Sequence, residues 1–225
     1  MCENEGISAG NAFSDYGTFA HSLLEKWARG ELDVFSMQDA WNNGYDKAIT
    51  HDFPPYMKGY SEKAKQMGSE YFGSFAGFDG YRVVAAEEDF ITDIGGNKFH
   101  GIVDLILQSV DDGSYMVIDH KTKSVASMKK DFGLFRRQLY IYAAYVKEKY
   151  GKYPSKLAFN MIKTGELIEE EFSQETMDDT IRWVNDIIEQ IAMDTRFEPC
   201  PSAHMCQFMC DVRSRCQHVP IYTRP

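Results

Sequence analysis

Asp119 and Lys121 stand two apart in Val117-Ile118-Asp119-His120-Lys121-Thr122-Lys123, at the end of an apolar run. Side chains alternate across an extended strand, so the carboxylate and the ammonium share one face. An acid that holds a hard cation through oxygen suits metal-assisted hydrolysis of a phosphodiester when a lysine beside it orients water and offsets phosphate charge. Acid-x-Lys is short enough that composition predicts about two chance occurrences, and the chain has one. Its surroundings must therefore carry the weight.

One acid, Asp104, interrupts the apolar run His100-Gly101-Ile102-Val103-Asp104-Leu105-Ile106-Leu107. A carboxylate among Ile, Val and Leu is costly to bury unless a cation or a hydrogen bond receives it. Asp111-Asp112-Gly113 is a hairpin-type turn, so Asp104 and Asp119 lie near each other across antiparallel strands, spaced for a bridging divalent ion. Gln138 and Tyr142, four apart, stack on one helix face. Read alone, Tyr142 is a core residue and Gln138 a rim residue. His21 falls on the first helical segment, where a histidine is more often packed or exposed than ligating, although neutral imidazole is a competent ligand.

The elements that must position these residues follow from hydrophobic period and turn signals. Phe19, Leu23, Leu24 and Trp27 predict a helix over residues 16–30, preceded by Ser14-Asp15 and stopped at Gly30. Residues 36–76 read as a mostly helical, aromatic-rich insertion broken at Pro54-Pro55. Residues 81–94, 98–108 and 114–120 read as strands of an antiparallel meander, joined by Gly95-Gly96-Asn97 and Asp111-Asp112-Gly113. A helix over 132–150 crosses back to two short strands at 156–163 and 166–172, and an amphipathic helix over 176–193 leads to the tail. The expected fold is a mixed α/β sheet flanked by helices.

The 225 residues suit one domain or a domain with an appendage, and 44% hydrophobic with 26% charged residues excludes disorder and fibrous repeats. A net charge of −10 argues against coating nucleic acid by bulk electrostatics. The charge is nonetheless segregated: Lys121, Lys123, Lys129, Lys130, Arg136 and Arg137 face one acid, Asp131, over residues 121–137, whereas 166–179 is acidic. No apolar stretch approaches the ~18 residues that span a bilayer, and MCENEGISAG has neither a basic nor a hydrophobic segment. The expected location is therefore the cytoplasm. Four of five cysteines (Cys200, Cys206, Cys210, Cys216) cluster near the end, with Cys2 alone at the start, which reads as metal binding before disulfides.

Together, G-x-x-x-H at Gly17 to His21, G-x-x-D at Gly101 to Asp104, D-x-K at Asp119 to Lys121 and Q-x-x-x-Y at Gln138 to Tyr142 resemble the PD-(D/E)XK nuclease superfamily. The likeness is to its RecB-like branch, which includes CRISPR-associated iron-sulfur exonucleases. It implies a restriction-endonuclease-like fold, with residues 1–196 as nuclease domain and 197–225 as a cluster-binding tail packed on it. By resemblance, His21, Asp104, Asp119 and the His120 backbone carbonyl would ligate Mg²⁺ or Mn²⁺, Lys121 would be the catalytic lysine, and Glu87 would assist. Gln138 and Tyr142 would position the substrate strand. Lys123, Lys129, Lys130, Arg136 and Arg137 would line the DNA path.

Cys206, Cys210 and Cys216, with Cys2 or Cys200 as fourth ligand, resemble the branch's [4Fe-4S] segment, although C-x3-C is one residue longer than its usual C-x2-C. Thiolates also suit Zn²⁺, with His204 or His218 contributing. The expected activity is DNA exonuclease on single strands or strand ends, in recombination, repair or CRISPR adaptation alongside proteins of those pathways. Two other readings remain open: a nonhydrolytic DNA-binding or assembly subunit, and a zinc-stapled interaction module.

Overall fold

The fold is taken from a computed structural model that describes residues 10–210 and 212–220. Helix α1 spans Ala12–Ala28, and its N-cap is Asn11, whose side chain accepts the Ser14 amide at 2.9 Å. The helix thus starts earlier than Ser14-Asp15 suggests. Asp15 is committed elsewhere: its Oδ2 accepts the backbone amides of Thr50 and His51 at 2.8 and 3.1 Å, which ties α1 to the chain 35 residues on.

The insertion is a short 3-10 turn, Val34–Ser36, followed by α2 (Met37–Ala48) and α3 (Tyr60–Ser74), with Pro54-Pro55 in the irregular link between the two helices. Aromatics hold it together. Trp41, fully buried, packs against Tyr16, Phe19 and Phe72 with ring centroids 5.1, 5.0 and 5.1 Å away, and its indole N–H donates to the Lys65 carbonyl. This cluster fixes α1, and with it His21, against the rest of the chain.

Strands β1 (Tyr81–Ile94), β2 (Asn97–Ser109), β3 (Tyr115–Lys121), β4 (Lys156–Met161) and β5 (Glu166–Glu171) form one sheet in chain order. All neighbours pair antiparallel except β3 with β4. That parallel pair requires a crossover. It is made by α4 (Val125–Lys130) and α5 (Phe132–Tyr150), the latter closed by Gly151 at φ 78°. The basic stretch therefore contains a helix, α4, that its charge pattern does not announce.

Helix α6 (Gln174–Met193), capped by Ser173, packs with α5 on one sheet face, over Val117, Phe159 and Met161. The other face carries Leu105, Leu107, Met116 and Ile118, and Trp27 of α1 packs there. A short tail helix, α7 (Ala203–Phe208), follows. No helix of the described residues is long and apolar enough to cross a membrane.

Gly68 on α3 sits under the Trp41 indole, so that a β-carbon there would fall 2.1 Å from the ring. Overpacking of this kind costs roughly 1–3 kcal/mol. Gly68→Ala should lower the melting temperature by several degrees in a thermal scan; an unchanged midpoint would mean that the indole is not seated against this helix.

Candidate active site

Alternation along β3 puts Asp119 and Lys121 in the row begun by Tyr115 and Val117, which faces α5. On β2 the pair Leu105 and Ile118 is the last rung of the β2–β3 ladder, and the next position sets Asp104 opposite Asp119. There the β2–β3 ladder ends, and the backbone amide of His120, without a partner on β2, donates to Asp104 Oδ2 at 2.7 Å. Asp104 thus closes the ladder with a side chain where the backbone bond ends.

The third acid comes from β1. A register shift between Val83 and Ala85 precedes Glu87, which adopts φ +45°, a left-handed conformation costly for a residue with a β-carbon. Strain at this point of the strand turns Glu87 toward α1. His21 Nδ1 lies 3.3 Å from Glu87 Oε1 and 3.7 Å from Asp104 Oδ2, and Nε2 lies 3.0 Å from the His120 carbonyl, which can only accept. Ligand atoms of His21, Glu87 and Asp104 all fall within 4.8 Å of one another.

Behind them, Asp119 is 1% exposed. Its Oδ2 is 2.6 Å from Lys121 Nζ, yet the angle of approach leaves that oxygen without a directed hydrogen bond. Lys121 Nζ donates to Gln138 Oε1 at 2.9 Å, and Gln138 Nε2 donates to the Tyr142 hydroxyl at 2.6 Å. The i, i+4 spacing on α5 thereby joins the two motifs into one chain of contacts: Asp119, Lys121, Gln138, Tyr142.

Burial, and then the neighbouring Asp119 charge, push the Asp104 carboxyl up to about 7. Burial likewise raises Asp119, with Lys121 opposing. For His21, burial disfavours the imidazolium, but the Glu87 hydrogen bond and the Asp104 charge outweigh it and hold the pKa above its ordinary value. A doubly protonated ring donates to Glu87 from one nitrogen and to the His120 carbonyl from the other, and supplies positive charge among the acids. Burial pushes Tyr142 well up, so its hydroxyl keeps its proton.

His120 presents its carbonyl to the site while its ring is buried on the far side, driven well below its ordinary pKa by desolvation and so neutral. Asn160 on β4, its register partner, donates to His120 Nδ1 at 3.0 Å and to the Tyr71 hydroxyl at 2.6 Å. These two anchors were not singled out in the sequence. Asn160 carried a signal like that of Asp104, a polar residue inside the apolar run Leu157-Ala158-Phe159-Asn160-Met161-Ile162.

The basic residues do not converge in the same way. Arg136 is bound to Glu170, with Nε 2.7 Å from Oε2, and the Arg137 guanidinium stacks 4.4 Å from the Trp183 ring. Lys129 is 4.0 Å from Glu166, Lys130 is exposed, and Lys123 lies 4.4 Å over Phe135 just past β3. In the tail, Cys206 lies on α7, Cys210 follows it, Cys216 comes after a turn, and Cys200 is exposed ahead of it. None of these four is in a disulfide. Cys2 lies outside the described residues.

The profile of the PD-(D/E)XK nuclease superfamily matches residues 3–217, nearly the whole chain, and the chain belongs to that superfamily. Its five-stranded mixed sheet flanked by helices is the restriction-endonuclease-like fold. Among solved structures, it resembles a protein named "Putative exonuclease" from Eubacterium rectale at 12% identity, with a TM-score of 0.43 over 93% of this chain and 76% of that one. It also resembles a protein named SSO0001 at 13% identity and a TM-score of 0.34, over 80% of this chain and 95% of the other. No curated protein matches it.

The donor set, the His21 imidazole with the carboxylates of Glu87 and Asp104, beside a strand position whose Asp119 keeps a buried oxygen without a hydrogen bond, fits a divalent cation. The raised Asp104 pKa also fixes a pH dependence. The folded carboxyl binds its proton more tightly than an unfolded one, so stability falls as pH rises from the ordinary carboxylate range through about 7. Asp104→Asn, which can still accept the His120 amide, should raise the stability of metal-free protein at pH 8 by on the order of 1–2 kcal/mol and leave it little changed near pH 4. Melting curves in EDTA at both values check this, and a lower midpoint at pH 8 would contradict the proposed charge crowding.

Proposed function

We propose that this nuclease is a metal-dependent DNA exonuclease of the RecB-like, iron-sulfur branch, acting on strand ends in recombination, repair or CRISPR adaptation. The observation that carries the catalytic reading is the convergence of His21, Glu87 and Asp104 on the contact chain from Asp119 to Tyr142. His21, Asp104, Asp119 and the His120 carbonyl would hold Mg²⁺ or Mn²⁺, with Glu87 assisting. When bound, such an ion supplies Lewis-acid polarisation and neutralises charge at the scissile phosphate.

The chain's own residues do the rest. Lys121 Nζ, ion-paired with Asp119 and donating to Gln138, keeps N–H capacity to orient the attacking water or donate to a phosphate oxygen. Gln138 fixes the lysine through its carbonyl and spends its amide on Tyr142, so the lysine cannot swing away. The Tyr142 hydroxyl, accepting from Gln138, retains its own proton for the substrate strand. Its ring rests edge-on against Phe90, 5.8 Å between centroids, which immobilises it.

The tail reading rests on the resemblance and on one contact: Arg213 Nη1 donates to the carbonyls of Cys210 and Gly10, at 2.9 and 3.5 Å, linking the cysteine segment to the start of α1. Cys206, Cys210 and Cys216, with Cys2 or Cys200, would bind a [4Fe-4S] cluster that clamps residues 197–225 onto the nuclease domain of 1–196. Zinc is the other metal that these thiolates suit.

End-labelled linear and circular single-stranded DNA, incubated with Mg²⁺, Mn²⁺ or EDTA, test the activity. Linear strands should be degraded and circles spared, and Lys121→Ala and Asp119→Ala should each lose at least about a hundredfold in rate. Persistent cutting in both variants would reject the site. Cys210→Ser should lower the melting temperature of purified protein more than Lys121→Ala does, with loss of iron and of visible absorption; equal midpoints would count against a stapling cluster.

A further inference from the structure

Immediately beyond the catalytic strand, a cavity of about 710 Å³ opens between the start of α1, the link before α3, the segment leading into α4, and α7. Its lining combines two lysines, Lys123 and Lys163, with three aromatic rings, Phe13, Tyr56 and Tyr60, and the hydroxyl residues around Ser124. Thr122, which directly follows Lys121, is part of the wall, so the cavity begins at the end of β3.

Among the described residues neither lysine has a carboxylate partner, whereas ten other Lys and Arg side chains are ion-paired. Lys163 Nζ is held over three rings, 5.8 Å from Phe13, 5.4 Å from Tyr16 and 5.5 Å from Tyr60, and donates to the Tyr60 hydroxyl at 3.0 Å. Cation–π contacts fix the position of this charge without neutralising it. A cavity with two uncompensated cations calls for an anion, and one that also offers aromatic rings calls for an anion carrying a flat π-system.

Phosphate linked to a nucleobase has both features, and single-stranded nucleic acid is bound in general by pairing a basic track with stacking platforms. Duplex cannot use this site in the same way, because its bases are already stacked on one another and shielded from the rings. Phe13 and Tyr60 are braced by Phe53, at 5.1 and 5.0 Å, so the platform is set in advance of binding. The Tyr56 hydroxyl contacts the His204 ring, so the tail helix completes the far wall.

We propose that this cavity is a single-stranded DNA subsite, in which Lys123 and Lys163 take the backbone phosphate next to the scissile one and the rings of Phe13, Tyr56 and Tyr60 receive an unpaired base. The assignment rests on the nuclease reading for its substrate, and it places the substrate path on residues 13, 56, 60, 123 and 163 instead of on Arg136 and Arg137. It also makes the active site selective for a strand that has left the duplex.

Binding of a short fluorescent oligothymidylate to the full chain, followed by anisotropy in EDTA where no strand is cut, tests it apart from catalysis. The parent should bind the single strand well ahead of a blunt duplex of the same length. Tyr56→Leu, Lys163→Met and the exposed Lys123→Gln should each weaken single-strand binding by about tenfold, while Lys152→Gln, at the opposite end of β3, should not. Equal affinity of the parent for both DNAs, or unaltered binding by Lys123→Gln and Tyr56→Leu together, would overturn the subsite. If the variants lose binding although the parent cuts no DNA in Mg²⁺ or Mn²⁺, the nuclease reading fails and the subsite stands. If the parent cuts and the variants bind as it does, the subsite alone falls.

Discussion

Two aspartates, Asp104 and Asp119, are brought side by side at the point where β2 and β3 part, in a place too poorly hydrated for both to carry charge comfortably. Everything around them answers that electrostatic problem. Lys121 offsets Asp119 from one side, and the His21 imidazolium sits among the remaining carboxylates on the other. Such crowding is unfavourable for the empty fold, because desolvated like charges repel and nothing nearby fully repays them. It is favourable for holding a small cation of high charge, and enzymes commonly accept lower stability at such positions.

The supporting structure explains how the crowding persists. Strand pairing cannot be undone without exposing apolar side chains on both sheet faces, so Asp104 and Asp119 have no inexpensive route apart. Glu87 is turned inward by a backbone conformation that a side chain disfavours, and the long β1–β2 ladder on either side enforces it. His21 is fixed from a different direction. Its helix is pinned by the Trp41 cluster and by Asp15 gripping the amides after α2, so a helical insertion remote from the chemistry sets the reach of the imidazole. His120 shows a division of labour within one residue: the carbonyl faces the acids, while the ring is locked away by Asn160 and Tyr71.

Strands and long helices were legible because their hydrophobic periods are strong and their turns are marked by glycine. The meander up to Lys121, the crossing helix with Gln138 and Tyr142, and the final amphipathic helix all appear close to the expected boundaries. Departures arise where a side chain serves the backbone. Asn11 takes the cap that Ser14 and Asp15 offer in the sequence, and a six-residue helix lies hidden in a stretch whose lysines suggested only charge. Composition alone does not say which cations are already engaged: Arg136 and Arg137 contact Glu170 and Trp183, whereas Lys163, outside the basic run, lies over aromatic rings with no carboxylate partner among the described residues.

By itself, the order of residues determined the chemical inventory: which acids interrupt apolar strands, which lysine shares a face with which carboxylate, and which pair on a helix lies one turn apart. Those relations are local, set by periods of two and 3.6 residues, and survive without knowing how the elements pack. Only the tertiary structure decided that His21 meets Asp104 and the His120 carbonyl, about eighty and a hundred residues further on, and that Glu87 turns toward it through a strained backbone. It also decided that α1, the link before α3 and the cysteine tail line one cavity at the end of β3. Such meetings depend on packing between distant segments, and the free energy that fixes them comes from buried area and charge summed over the whole fold, which no short window of sequence contains.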